Sequence, residues 1–477
     1  MKQIYLLLLL CLVAKTVAFG QSTSSLRSDG TILVDGNPFF PFGAYSIPWS
    51  ESDASKIQAL NDMIAAGFNI STIEDINSLA AQAEINNLLD IAQKSNFKML
   101  IGVTNTSVRE DPIIFNPPKK YKNHPATFGY MLTDDGDNGT RSLEYLAKLH
   151  NGVKGLDNKH LTFLTLTGFT AAGRAEANSF TSIADVSAYQ CYPIGAHRES
   201  DWEESKVLAQ TYLRTLGYVQ SAALVNRPLV MTLQTFSWGE QSDNPRYPTV
   251  SELRNMLYTG VAAGIKGVIN YDFSFDLKDN QPALWSEFKS LSKDVKSIQT
   301  LLLDGKLTRK STSDAELVSS YWESGDTCLV VLANTTYSKS KTVSLTLPSK
   351  YAKHMVTAVS TRMPSSVTYS NGIISGALES QQVEVYKLTP GLTTGIGNFA
   401  DKVHCTIHPN PVKTELTVNG NISEKASYEI TSIEGITLQT GIVGNRSISI
   451  ENLNAGLYLI RIMSNELQTL QRFVKEE

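Results

Sequence analysis

The sequence predicts an α/β fold: a (β/α)8 barrel over residues 24–302, followed by two small all-β sandwiches. Three observations predict it. Eight short apolar runs alternate with amphipathic stretches between residues 39 and 302, close to the roughly 250 residues that eight βα units occupy. No GxGxxG or GxxxxGK[ST] loop follows any run, which counts against the doubly wound open sheet. Beyond residue 302 the apolar period shortens to two, in runs separated by turn residues.

The chain opens with Lys2, the apolar run Ile4–Val13, and Ala18-Phe19-Gly20 before the polar Gln21. This layout is that of a cleaved secretory signal peptide, residues 1–20. Lys15 interrupts the run too early for a spanning helix. Residues 24–38 alternate around Gly30 and Gly36, with Leu26, Ile32 and Val34 apolar, and read as a hairpin closing the barrel floor.

The predicted strands are 39–47, 68–75, 98–103, 127–135, 161–168, 186–194, 229–236 and 267–273. Helical patterns fall at 53–67, 78–96, 140–155, 171–184, 205–225, 249–266 and 282–302. Ser78 reads as a helix cap, Gly67 as a stop and Pro282 as a start. Pro112, Pro117, Pro118 and Pro125 make the third connection, 104–126, look like a loop.

Residues 303–390 read as a sandwich with strands at 315–323, 327–334, 342–347, 354–360 and 382–388. Gly391, Gly395 and Gly397 mark a linker over 391–403. Residues 404–477 again alternate with period two, around Asn-Gly, Glu-Gly and Asn-Ala-Gly turns.

Composition narrows the function. With 42 Lys+Arg against 46 Asp+Glu, the net charge of −4 gives no general footprint for nucleic acid. Four cysteines, one of them Cys11 in the signal segment, cannot frame a disulfide scaffold in a chain of 477 residues. The seven histidines have no metal-ligand spacing, and no cofactor motif is present, so no metal and no cofactor are expected. No later segment reaches eighteen continuous apolar residues, so no membrane span is expected.

In such a barrel the carboxyl ends of the strands carry the chemistry. The polar residues there are Tyr45 on the first strand, Glu74 and Asp75 on the second, and Asp134 and Asp135 on the fourth. The sixth carries Tyr189, Gln190 and Tyr192, and the seventh Gln234, with Trp238 and Glu240 just after it. The eighth carries Asn270, Tyr271 and Asp272. Alternation predicts that Phe128, Tyr130 and Leu132 face the helices, and that Thr133, Asp135, Gln234, Asn270 and Asp272 face the barrel axis. Carboxylates and amides take sugar hydroxyls, and aromatic faces stack on pyranose rings, so this set suits carbohydrate.

Two resemblances add to that reading. Phe39-Phe-Pro-Phe-Gly-Ala-Tyr-Ser, His124-Pro-Ala-Thr-Phe-Gly-Tyr-Met-Leu-Thr-Asp-Asp, Tyr189-Gln-Cys-Tyr-Pro and Arg246-Tyr-Pro-Thr-Val-Ser-Glu-Leu-Arg-Asn resemble (β/α)8 glycoside hydrolases. That resemblance places Asp135 where a Glu general acid/base is usual, Gly136 where a proline is usual, and Gln234 near the usual strand-seven nucleophile. An amide cannot replace that carboxylate. His408-Pro-Asn-Pro, Asn452-Leu-Asn-Ala-Gly-Leu-Tyr-Leu-Ile-Arg-Ile and the ending Arg472-Phe-Val-Lys resemble the C-terminal sorting domain of type IX secretion in Bacteroidota. It implies transit through the periplasm and across the outer membrane, with the type IX machinery as a partner.

The expectation is a secreted or surface glycoside hydrolase acting on poly- or oligosaccharide. Asp135, Asp134, Asp272 and Glu240 are the candidate catalytic residues. Tyr45, Glu74, Tyr189, Tyr192, Gln234, Trp238, Asn270 and Tyr271 are the candidate sugar contacts. A wide Asp135–Asp272 pair would suit inversion. A tyrosine or Gln234 orienting a self-assisting substrate group, or Glu240 swinging in as nucleophile, are the other routes. The missing strand-seven carboxylate motivates the alternative of a non-catalytic glycan-binding surface protein. A structural surface or adhesion protein without a pocket is the third class.

Overall fold

The computed structural model describes residues 22–45, 52–73, 81–103, 115–167, 177–198, 200–273, 275–310, 314–360, 365–390, 405–420, 422–423, 425–432, 437–464 and 467–476. Residues 1–20, Glu74, Asp75, Ser78 and the 391–403 linker lie outside them.

Eight parallel strands close into a barrel. They are β4 (Phe42–Ala44), β5 (Ile70–Ile73), β6 (Lys98–Gly102), β7 (Thr127–Met131), β8 (Leu161–Leu166), β9 (Val186–Cys191), β10 (Leu229–Leu233) and β11 (Val268–Asn270). Each follows its predecessor around the ring, and β11 pairs back onto β4. The hairpin expected at residues 24–38 is a three-stranded sheet: β1 (Ser24–Leu26), β2 (Ile32–Val34) and β3 (Asn37–Pro38). Ile32 and Val34 from it pack with Phe128, Leu161 and Phe163 inside the barrel. Ser24 Oγ accepts from the Leu161 amide at 2.8 Å and donates to the Phe128 carbonyl, which ties the plug to the strand ends.

The helices are α1 (Asp53–Ala65), α2 (Ala81–Lys94), α3 (Asn116–Tyr121), α4 (Leu143–Leu156), α5 (Ala177–Thr181), α6 (Val207–Leu224), α7 (Val250–Ala263), α8 (Phe275–Asn280) and α9 (Pro282–Asp304). Local chemistry sets their ends. Ser52 caps α1 and Ser142 caps α4. Thr249 and Glu252 form a reciprocal capping box at the start of α7. Gly264 ends that helix in the left-handed region, φ 96°, where a side chain is strained. The connection expected to be a loop contains α3, because Pro117 and Pro118 fall in its first turn, where the missing N–H costs nothing.

The chain after α9 forms β12 (Lys306–Lys310), β13 (Leu317–Ser324), β14 (Thr327–Asn334), β15 (Lys341–Thr346), β16 (Met355–Ser360), β17 (Thr368–Ser370), β18 (Ile373–Leu378) and β19 (Val383–Thr389). A five-stranded sheet, β12-β13-β14-β19-β16, faces a three-stranded one, β15-β18-β17. Along β14 the side chains divide between two cores. Leu329, Val331 and Ala333 join the cluster that continues into the barrel, while Cys328, Val330 and Leu332 face the second sheet. The sheet is therefore buried on both faces, as its unbroken apolar run requires. Barrel and sandwich make one compact unit.

Residues 392–477 form a second unit. Its strands are β20 (Cys405–His408), β21 (Glu415–Gly420), β22 (Ser427–Ser432), β23 (Thr437–Ile442), β24 (Ser447–Ser449), β25 (Gly456–Ser464) and β26 (Leu467–Lys475). They make two antiparallel sheets, β20-β21-β24 and β23-β22-β25-β26. Leu416, Val418, Ile430, Ile460, Ile462 and Phe473 fill the core between them. Asn410 in the His-Pro-Asn-Pro segment clamps β26 with its side chain, donating to Arg472 O at 3.0 Å and accepting from Val474 N at 2.9 Å. Among the described residues no helix is long and apolar enough to cross a membrane.

Candidate active site

Which side chains reach the barrel axis follows from alternation along each strand. On β8, Leu161 and Phe163 lie inside, so Thr165 and Thr167 follow them at the mouth. On β9, Val186 and Ala188 lie inside, which carries Gln190 and Tyr192 inward. Tyr189 takes the other phase. It is buried against α6, stacked on Tyr218 at 4.4 Å, and is not a sugar contact. On β10, Val230 lies inside, and Thr232 and Gln234 share its phase as expected.

Two strands depart from the expected phase. A register shift between β6 and β7 sets Met99 opposite Thr127 but Leu100 opposite Gly129, so Phe128 is an extra residue. Phe128 therefore packs inside, against Phe39 and Phe163, while Tyr130 and Leu132 remain outside as expected. Gly129 is required at that point, because a Cβ there would lie 2.3 Å from Leu161 O. On β11, Val268 packs outside, and Ile269 and Tyr271 pack inside. Asn270 and Asp272 thus take the opposite phase to the one expected. Asn270 is fully buried, and Asp272 is half-buried, with its carbonyl accepting from Thr235 Oγ1 at 3.0 Å. Neither lines the cavity.

That cavity, of ≈ 680 Å³, opens at the carboxyl ends of β7 to β11. Asp134, Asp135, Gln190, Tyr192, Trp238 and Tyr271 are on its wall, with Thr167, His197 and Phe236 beside them. Five of the predicted site residues come together there: Asp134, Asp135, Tyr192, Trp238 and Tyr271. Tyr45 is buried, edge-on to Tyr271 at 5.8 Å, its hydroxyl 2.7 Å from Thr165 Oγ1. Glu240 is exposed on the short 3-10 turn after Trp238 and does not line the cavity. Glu74 lies outside the described residues.

Gln234 is fully buried, and both of its amide hydrogens are committed to backbone carbonyls. Its amide oxygen accepts from Ile194 N at 2.8 Å, and its nitrogen donates to Ile194 O at 2.8 Å and Phe236 O at 3.1 Å. It works as a splice between the loops after β9 and β10.

The residue that sequence reasoning left out of the candidate set is Gln190. Its Nε2 donates at 2.8 Å to Asp134 and at 2.8 Å to Asp135. The two carboxylates are therefore held on one wall, within twice that distance of each other. Its spacing of two from Tyr192 was the signal that could have found it. Asp135 is in the left-handed region, φ 49°, which an aspartate tolerates better than most residues. Gly136 then donates its N–H to Thr165 O at 2.8 Å, a bond that the proline usual at this position would lack.

Burial raises the Asp135 carboxyl above the ordinary aspartate value, and the negative charge of Asp137 adds to it. The Gln190 amide and Arg141 pull the other way but do not cancel the rise. Asp137 is thus one like charge at work. It is itself anchored, accepting from Thr167 N at 2.6 Å and from Thr167 Oγ1 at 3.0 Å. Burial, with Asp134 next, pushes the Tyr192 phenol well above its usual value, so it stays a neutral hydrogen-bonding group. The facing wall is aromatic: Tyr192, Phe236 and Tyr271 meet mutually at 5.1 to 5.7 Å, and Phe236 meets Trp238 at 5.1 Å. A carboxyl whose charged form is disfavoured, facing aromatic rings, is placed to donate a proton. No group of acidic, histidine or cysteine side chains that could hold a metal ion occurs among the described residues.

Comparison with known proteins bears on the C-terminal domain and on the fold. Residues 406–476 match the family model of the secretion system C-terminal sorting domain. That domain marks the chain for export by type IX secretion, to the cell surface or the medium. Solved structures that resemble the chain include one described as a glycoside hydrolase, 15% identical with a TM-score of 0.55, over 78% of this chain and 97% of that one. A glycoside hydrolase family 5 protein from Bacteroides vulgatus ATCC 8482 is 14% identical, TM-score 0.54, over 79% and 95%. An alpha-amylase from Anoxybacillus is 11% identical, TM-score 0.51, over 78% and 100%. At such identities the likeness is one of fold. No curated protein matches the chain by sequence.

Proposed function

We propose that this protein is a secreted glycoside hydrolase acting on poly- or oligosaccharide, with Asp135 as its general acid. One observation carries the reading: a half-buried carboxyl with a raised pKa sits in an aromatic-walled cavity at the carboxyl end of the barrel. Asp135 delivers its proton to the leaving oxygen. Asp134, on the same wall, faces the positive charge that builds on the sugar ring. Asp135, now a base, takes a proton from the water that replaces the leaving group.

This arrangement differs from the wide pair that inversion needs, because Asp272 does not line the cavity. Water activated by the residue that protonated the leaving group enters from the face just vacated. Retention of configuration follows.

The test is reducing-sugar release from a panel of plant, algal and host glycans by the full chain and by Asp135→Asn, with product anomers followed by NMR. Release that depends on Asp135, with retained configuration, supports the reading. A second reading, a glycan binder without turnover, is favoured by the engagement of Gln234 with backbone where a nucleophile is usual. Binding without release across the panel would establish it.

A further inference from the structure

A second cavity, of ≈ 210 Å³, adjoins the first and shares His197 and Ser200 with it. It lies between the loop after β9 and the loop after β10, and Ala196, Trp202, Ser242 and Arg246 are among its walls. The loops are locked together. The Arg198 amide donates to Gln241 O at 3.1 Å, and Asn244 Nδ2 donates to Glu204 Oε1 at 3.0 Å. The Gln234 amide bridges Ile194 and Phe236, one on each loop. So the cavity is built in advance of any ligand.

Trp202 is its platform. One face of the indole is covered by the Arg214 guanidinium, 3.7 Å from the ring centroid. Arg214 is itself held by Asp201 at 2.7 Å. The half-buried ring is thereby fixed in orientation and still contributes to the cavity wall. A pre-set aromatic surface of this kind stacks on the apolar face of a pyranose at little ordering cost.

Charge narrows the ligand. Arg198 pairs with Asp243 at 2.9 Å, and Arg246 is held by both oxygens of Glu252, at 2.7 and 2.8 Å. Neither guanidinium offers an unneutralised charge to an acidic sugar. Volume narrows it further. Pockets for drug-sized ligands run to roughly 300–1,000 Å³, so 210 Å³ is room for one ring.

We propose that the second cavity is a subsite for one neutral pyranose ring of a chain whose other rings occupy the first. This rests on the first cavity being a sugar site, and it makes the substrate an oligo- or polysaccharide rather than a single glycoside.

The experiment is isothermal titration of full-length Asp135→Asn protein, whose turnover is cut by about 10²–10⁴-fold. The probes are linear oligosaccharides of one to six residues from the β-1,4-glucan, β-1,4-xylan, β-1,4-mannan, α-1,4-glucan and polygalacturonate series. In a neutral series that binds, affinity rises by about tenfold at the ring that enters the second cavity, the scale of one stacked ring. Adding Trp202→Ala removes that step. Adding Ala196→Trp, which fills the cavity and leaves the platform in place, removes it too. A step that survives both variants, or a length series with no step, overturns the proposal and leaves the first site standing. A larger step for the uronate series overturns the neutral assignment. Failure of every series to bind overturns the sugar reading of both cavities.

Discussion

Asp135 is held where its charged form is disfavoured, and this has two measurable consequences. On the proposed mechanism, the proton that Asp135 retains is what leaves with the glycosidic oxygen. Asp135→Asn keeps the size and cannot donate that proton, so turnover on natural glycan falls by about 10²–10⁴-fold, the usual worth of general acid catalysis. Aryl glycosides with good leaving groups need little protonation and lose far less, which steady-state kinetics on paired substrates will display. An equal loss on both would remove Asp135 from the acid role. For stability, the native pKa lies above the unfolded one. Between the two, the unfolded chain has released a proton that the native state keeps, so stability falls as pH rises through that window. Asp135→Asn escapes this cost. Its melting temperature exceeds that of wild type at neutral pH, and the advantage fades below the ordinary aspartate pKa. A variant less stable at pH 7 than wild type would contradict that. The pair Asp134-Asp135 was legible in the sequence because it ends a strongly apolar strand. Gln190 and Asp137 were not ranked, since their importance comes from whom they touch across strands, and alternation within one strand is silent on that.

At the level of elements, alternation predicts the inward set well until a strand gains a residue or the chain turns at its end. The bulge at Phe128 and the reversed phase of Asn270 and Asp272 are the two cases here. The reversed phase flanks Tyr271 on the cavity wall, whereas the bulge lies toward the barrel floor, where Phe128 packs against the plug. The outer phase of β7 has its own polar anchor. Tyr130 donates to Asp157 Oδ2 at 2.7 Å, and His160 Nδ1 lies 2.6 Å from the same oxygen. Asp157 follows the end of α4, so the pair fixes helix to strand. Burial alone would raise the Asp157 carboxyl, but the His160 and Tyr130 hydrogen bonds outweigh it and hold it below the usual aspartate value. Its contribution is therefore present above the unfolded pKa and lost as pH falls through the lower native one. Asp157→Ala strands two buried partners and costs about 3 kcal/mol in urea unfolding at pH 7. The deficit narrows in acid. A deficit independent of pH would show that packing, not the carboxylate, was lost.

On the scale of the whole molecule, the period change after residue 302 announced β structure correctly, but the dependence of that sandwich on the barrel was not written in its pattern. An apolar run such as β14 looks the same whether one or two cores receive it. In the folded chain Val318, Trp322, Leu329 and Val331 continue the barrel's cluster, and Asn255 on α7 donates to Asn334 O at 2.8 Å and Gln381 O at 3.2 Å. The sorting domain is the opposite case, since its apolar residues close on one another in a cluster of their own. Two truncations separate these situations. Ending the chain at residue 302 exposes the helix faces that the sandwich covers, so the barrel alone loses its cooperative melting and aggregates. Deleting residues 404–477 removes a self-contained core, so the remaining unit melts at an unchanged temperature. Export is what that deletion costs. Without the segment that type IX secretion recognises, the protein stays in the periplasm, where fractionation will find it folded and protease-resistant. Surface display of the deleted form would refute the assignment of export to this domain. A lowered melting temperature would show instead that the domain supports the barrel unit.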